Sequence, residues 1–335
     1  MKCSIRYKYL WILIPFLLCQ QVGAASVAAS DLEDAPSQLT VVATTGMVAD
    51  LARSVIGDRG IVIGIMGEGV DPHLYKPKAS DVRLILQADV VFYNGLRLEG
   101  RMEDVFANAR KRGLPVHAIA DGLDTSLLLE DESHPGSPDP HVWMDVEVWS
   151  RSLEEIVRVL CQVDPDGCSI YQRNAAVHEK QLIALDEEVE AMIATIPRKQ
   201  RVLVTAHDAF RYFGRAYGIE VHGIQGISTD SEAGLSDLND LVNFLVEKRI
   251  PAVFIESSVS PRNVQALIEG AKSQSHEVVI GGELYSDAMG ASGTSAGTYP
   301  GMIRHNARVI TAALGGTLDV PSSSPPVEKE DPESS

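Results

Sequence analysis

Aromatic residues make up only 6% of this 335-residue chain, and basic side chains are outnumbered 46 to 29 by acidic ones. Each shortage excludes something. A net charge of −17 argues against a nucleic-acid binder, because neutralising phosphates requires clustered Lys and Arg. Long apolar runs are also lacking. The one candidate, Tyr9 to Cys19, falls short of the ~20 residues that span a bilayer. With few aromatics and a mean hydropathy of +0.01, the composition is that of a soluble protein and not a membrane bundle. Length alone suggests two lobes, each large enough to bury a core of its own. The acidic surplus reads as a solubilising surface that would also attract cations.

The first residues read as an address. Lys2, Arg6 and Lys8 precede the apolar run, and Val22-Gly23-Ala24 follows it with small residues. This order predicts a secretory signal over residues 1–24, cleaved near Ala24, with an uncleaved anchor as the alternative. Leu17 and Leu18 stand before Cys19 where a lipidation signal has small residues, so no lipid is expected. Losing residues 1–24 removes three basic and no acidic groups, taking the net charge to −20. Of four cysteines, only Cys161 and Cys168 then remain. They flank the turn-like stretch 163–167, and an oxidising compartment favours their pairing over free thiols or a zinc site.

From Leu39 onward, short β-branched runs alternate with amphipathic stretches. Runs at 39–44, 60–66, 88–93 and 115–119 predict strands, and 47–56, 79–87 and 99–111 predict helices between them. The scheme repeats with strands at 201–205, 220–223, 252–256 and 277–281, and helices at 210–217, 235–248, 261–272 and 301–314. Such alternation predicts an α/β protein of two lobes, each with a mostly parallel, roughly four-stranded sheet. The lobes are set at 38–146 and 198–316, with a connecting region at 147–197. Within it Tyr171, Ala175, His178, Leu182, Leu185, Val189, Met192 and Ile196 form one helical stripe, predicting a single helix over 169–196. His178 on that stripe is read as structural. The Pro-, Ser- and Glu-rich tail at 317–335 has no apolar period and is read as disordered.

Nine histidines are present, and three have unusual settings. Asp71-Pro72-His73 follows a strand and a glycine-rich loop, Asp139-Pro140-His141 closes an acidic loop, and His207 directly follows a strand. Ligands collect beyond the carboxyl ends of parallel strands, and proline restricts the backbone that presents His73 and His141. Neutral imidazoles so placed suggest metal coordination, with a carboxylate completing the set. Each of them, taken singly, also reads as an ordinary loop residue.

Six stretches go further. They are 44–51, 69–77, 88–95, 139–145, 204–210 and 284–290, and in this order they resemble the metal-binding solute proteins of ABC transporters, of the TroA type. The resemblance runs from about residue 38 to 316. It implies two Rossmann-like lobes joined by a rigid backbone helix, with His73 and His141 from one lobe and His207 and Asp287 from the other as metal ligands. The implied role is capture of a divalent cation outside the inner membrane, as a monomer, and delivery to an ABC permease with its cytoplasmic ATPase. The third ligand position is Glu in most manganese-dedicated relatives and His207 here. The loop before His141 is short and acidic, unlike the His-rich loops of zinc-dedicated relatives. Three imidazoles and a carboxylate favour Zn²⁺, with Mn²⁺ also accommodated if Asp287 offers both oxygens.

His134 in that loop is read as solvated, and His117, His222, His276 and His305 as structural or surface residues. Glu232 and Glu256 are candidates to support the ligands or to line the cleft. Two rival classes, an enzyme and a surface adhesin, have less support in the sequence. Gly293-Thr294-Ser295-Ala296-Gly297 matches GxSxG, but no apolar strand precedes it and no acid lies between Ser295 and His305, so an enzyme is not expected. A zinc metallohydrolase would need an open coordination position. A surface adhesin would share the fold, but no repeat or wall-sorting signal supports it.

Overall fold

The computed structural model describes residues 38–131 and 134–319. The expected signal segment and most of the expected tail lie outside these residues. In the first lobe, β1 (Leu39–Ala43), β2 (Gly60–Gly64), β3 (Val90–Tyr93) and β4 (Val116–Ala118) form one parallel sheet in the order β2-β1-β3-β4. The crossovers are α1 (Gly46–Ile56), α2 (Ala79–Gln87) and α3 (Glu103–Lys111). Alternation along the strands sorts the side chains. Val41, Val90 and Phe92 face one core, while Val42 and Val91 face another.

After the sheet come α4 (Val146–Ser150), α5 (Ser152–Val163) and α6 (Cys168–Ala194). At 27 residues α6 is ~40 Å long. Its buried face is Tyr171, His178, Leu182, Leu185, Val189, Met192 and Ile193, the stripe expected from the sequence except for Ala175, which is half-buried, and the added Ile193. Ile196 lies just beyond the helix and is buried as well. Cys161 and Cys168 form a disulfide that joins the end of α5 to the start of α6. Asp164, between them, accepts hydrogen bonds from Arg59 at 2.7 Å and from the Tyr171 hydroxyl at 2.6 Å, tying this corner to the first lobe.

The second lobe has β5 (Val202–His207), α7 (Arg211–Tyr217), β6 (Glu220–Gln225), α8 (Leu235–Lys248), β7 (Ala252–Glu256), α9 (Arg262–Ser273), β8 (Val279–Leu284) and α10 (Tyr299–Ala313). Its four strands appear where expected, but as two parallel ladders, β5 with β6 and β7 with β8, lying side by side. At the junction of β5 and β7 the Glu256 carboxylate takes the backbone N–H of His207 at 2.9 Å, and within the second ladder the register of β7 on β8 slips between Val253 and Phe254.

The largest core is shared. Residues of the first sheet and α1, the stripe of α6, and Leu203, Phe254 and Ile310 of the second lobe belong to one continuous apolar cluster. Each lobe has a further core of its own on the outer face of its strands. The shared core makes the base of the cleft a packed interior, and packed interiors resist gradual deformation. No helix among the described residues is long and apolar enough to cross a membrane.

Candidate metal centre

His73, His141, His207 and Asp287 come together, each presenting one donor atom, with all four atoms within 4.8 Å of one another. They reach this point from four different places. His73 lies in the loop after β2, and His141 opens a short turn that leads into α4. His207 is the last residue of β5, and Asp287 follows β8. All four are buried, His73 least, at 6% exposure. The separations are 3.3 Å for His73 Nε2 to His141 Nε2, 3.4 Å for His141 Nε2 to Asp287 Oδ1, and 3.2 Å for His207 Nε2 to Asp287 Oδ2. His73 Nε2 to Asp287 Oδ2 is 3.7 Å. A tetrahedral zinc with ligand distances of ~2.0–2.2 Å needs donors roughly 3.3–3.6 Å apart; the four separations above bracket that edge, while the donor set as a whole lies within 4.8 Å.

Satisfaction of polar groups singles out the same point. His207 Nε2 and both oxygens of Asp287 are buried without a hydrogen bond of acceptable geometry. Buried polar atoms are nearly always paired, so three orphans around one point mark a place where a cation would supply the missing interactions.

The opposite edges of two imidazoles are held. Asp139 Oδ1 accepts both the backbone N–H of His141 at 3.0 Å and its ring Nδ1 at 2.7 Å. Glu256 does the same for His207, with Oε1 on the backbone N–H at 2.9 Å and Oε2 on Nδ1 at 2.5 Å. A carboxylate on Nδ1 fixes the tautomer that points Nε2 at the centre and makes it more basic. His73 is different. Asp71 Oδ1 accepts its backbone N–H at 2.8 Å and that of Leu74 at 3.4 Å, but among the described residues no carboxylate meets the His73 Nδ1.

The base of the site is tied across the lobes. Trp143 Nε1 donates to Ser286 O at 2.9 Å beside Asp287, and the Tyr299 hydroxyl donates to Trp143 O at 2.8 Å. The Tyr212 hydroxyl donates to Asp139 O at 2.9 Å, while Asn94 Nδ2 holds Pro140 O at 3.1 Å. Electrostatics follow from this burial. Desolvation and the neighbouring imidazoles outweigh the pull of Asp287 and push His73 down to about 4. Desolvation opposes protonation of His141 too, but Asp139 and Asp287 outweigh it and raise this imidazole to about 9. Glu256 and Asp287 likewise lift His207 well above its usual value against the cost of burial. Asp287 is held well below the carboxylate range because His207 and His141 offset its own desolvation.

Residues 41–313 match the profile of a family described as zinc-uptake complex component A, periplasmic. The chain belongs to this zinc-uptake family. Among its relatives, the manganese-binding lipoprotein MntA of Bacillus subtilis is 46% identical over 282 residues, which cover 84% of this chain and 92% of that one. The zinc-binding protein TroA of Treponema pallidum is 45% identical over 274 residues, covering 82% and 88%. The solved structure of the periplasmic zinc-binding protein TroA superposes with a TM-score of 0.80 at 44% identity, covering 83% of this chain and 99% of that one. The family fold of two lobes linked by a long helix is therefore the fold of this chain.

Other expectations divide. Glu256 stands against His207, but Glu232 does not reach the centre. It is exposed, and its nearest polar partner is Asn263 at 3.4 Å. His134 is exposed at the cleft mouth and pairs with Asp131 at 2.9 Å. His178 is buried on α6. His117 pairs with Glu155, His222 with Glu220, and His276 and His305 with backbone carbonyls, all away from the centre. Ser295 begins a short turn in a loop, and His305 is engaged with Glu283 O. Local pattern assigns no role to Asp71 or Asp139, although each stands two residues before its histidine in the same Asp-Pro-His motif.

Proposed function

We propose that this protein captures a divalent transition metal in the cleft between its lobes and delivers it to an ABC permease for import. His73, His141, His207 and Asp287 are its ligands. The observation that carries this reading is the meeting of four buried donors from both lobes within 4.8 Å of one another, with three of their atoms orphaned. Zinc is the tighter cargo, because three imidazoles and a carboxylate suit it and the Irving–Williams order places it above manganese. Manganese is the weaker alternative. Relatives named for each metal stand at nearly equal identity, so the choice rests on the donor set.

Export by the segment over residues 1–24 would put the protein outside the inner membrane; relatives of this chain are named lipoproteins. The protein acts as a monomer and makes no use of the metal for catalysis. Four protein donors fill a tetrahedral shell and leave no position for an activated water. Release comes from a small tilt of the lobes, since a shared core and one ~40 Å helix replace a hinge.

The test is metal analysis of protein purified without chelator, followed by competitive titration. One ion per chain, with zinc displacing manganese, is expected. Protein that takes up neither metal would overturn the reading, and manganese displacing zinc would overturn its cargo.

A further inference from the structure

His73 differs from its partners in how it is held, and the difference leads across the cleft. The Asp71 carboxylate that fixes the His73 turn with Oδ1 accepts the Thr229 hydroxyl on Oδ2 at 2.6 Å. Thr229 belongs to the other lobe, in the loop between β6 and α8. It is buried, whereas the flanking Asp230, Ser231 and Glu232 are exposed. His73 also borders a cavity of about 200 Å³ at the cleft mouth, and Ile227, Ser228 and Asp230 of the same loop line it too. The other three members of the centre do not border that cavity. His73 is thus the donor at the exit, and its turn is fastened by one hydroxyl of the facing lobe.

We propose that Thr229 is a positioning residue that latches the cleft: its hydroxyl holds Asp71, Asp71 holds the His73 turn, and breaking the bond frees His73 first when metal leaves. This rests on the metal-binding reading above. When the lobes part, Thr229 withdraws and Asp71 Oδ2 loses its partner, so the turn that presents His73 loosens while His141 and His207 stay fixed on their own carboxylates. Loss of metal is then sequential, with the mouth ligand going before the three at the base. Nearby Arg101 and Asp230 also bridge the lobes at 2.5 Å, but both are substantially exposed, so this pair is screened and holds little.

Stopped-flow release of Zn²⁺ into excess chelator tests the latch in the full chain. Thr229→Val keeps the shape but removes the donor, leaving Asp71 Oδ2 unpaired. Its off-rate is expected to rise about tenfold or more, as loss of a hydrogen bond to a charged group implies. Thr229→Ser restores the hydroxyl and is expected to release at the wild-type rate. Asp230→Ala is expected to change the rate less than about threefold. Because Thr229 acts through His73, Thr229→Val added to His73→Ala is expected to cause no further acceleration. A Thr229→Val off-rate equal to wild type would overturn the latch, as would Thr229→Ser releasing as fast as Thr229→Val. A full additional effect in the His73→Ala background would assign Thr229 a merely structural role. Wild-type protein that holds no Zn²⁺ would overturn the metal-binding reading itself, a result separable from every one of these.

Discussion

The chain uses the tripeptide Asp-Pro-His twice, and the two copies are wired differently. In both, an aspartate oxygen accepts the histidine backbone N–H and tightens the turn that proline has already restricted. At Asp139 the same oxygen also takes the ring Nδ1 of His141, and the whole unit is buried among Tyr212, Asn94 and Trp143. At Asp71 the second oxygen turns away from its histidine to Thr229 in the other lobe. One copy fixes a ring and the other fixes a turn. On the proposed reading, the same local sequence would make a fixed ligand at the base of the cleft and a releasable one at its mouth.

The largest effects should come from removing donors. His141→Ala and Asp287→Ala are expected to weaken Zn²⁺ binding by more than the ~10–100-fold that follows loss of an outer carboxylate. His73→Ala should also weaken it sharply, but less than His141→Ala, since His73 alone borders the mouth. Competitive titration against a chromophoric chelator ranks them, and equal losses at His73 and His141 would erase the distinction between the two turns. Next come the carboxylates. Asp139→Asn is expected to cost ~10–100-fold in affinity, because it takes a partner from a buried ring. Asp71→Asn should cost less and act mainly on the off-rate.

The pH dependence sharpens the same contrast. Protonated His141 and His207 are favoured in the metal-free protein, so bound metal must displace their protons, whereas His73, pushed down to about 4, is already neutral. Zn²⁺ affinity is therefore expected to keep rising as pH climbs from 5 towards 9, and not to level off above the ordinary histidine value of ~6.5. Linkage gives the stability counterpart. The His141 pKa is raised on folding, so its contribution is complete below ~6.5 and fades as pH rises through about 9. Metal-free protein should melt at a lower temperature at pH 9 than at pH 6.5, as differential scanning calorimetry would detect.

The smallest effect on metal belongs to the disulfide. Replacing Cys161 and Cys168 by serine should leave the affinity unchanged while lowering stability by ~2–3 kcal/mol, the loop-closure value for so short a span. Chemical denaturation and titration of the same variant separate the two outcomes.

What the sequence made legible was local. The helices at 79–87 and 235–248 fall on their expected bounds; in the structure the Asp81 carboxylate caps the first turn of one and Arg249 closes the other in a left-handed conformation. The α6 stripe was legible because a buried helix face repeats every three or four residues. The seam between β5 and β7 was not, since it depends on a carboxylate at the end of one strand reaching the backbone of another. That Glu232 does not support the ligands was illegible for the same reason. A carboxylate in a promising stretch says nothing of which way its loop folds, and Glu256, 49 residues beyond His207, had no stronger local signal. Thr229 and Asp71 are 158 residues apart, and no spacing rule joins them. The three histidines are marked by their chemistry and setting and Asp287 only by the family resemblance, whereas the partners that orient them are set by tertiary packing.

The central claim is that three imidazoles and one carboxylate drawn from both lobes hold a single ion. X-ray absorption at the zinc edge of the loaded protein tests it most directly. Three imidazole nitrogens and carboxylate oxygen at ~2.0–2.2 Å are expected, with one imidazole lost from the shell in His207→Ala. A shell with no imidazole scattering, or one unchanged in His207→Ala, would contradict it.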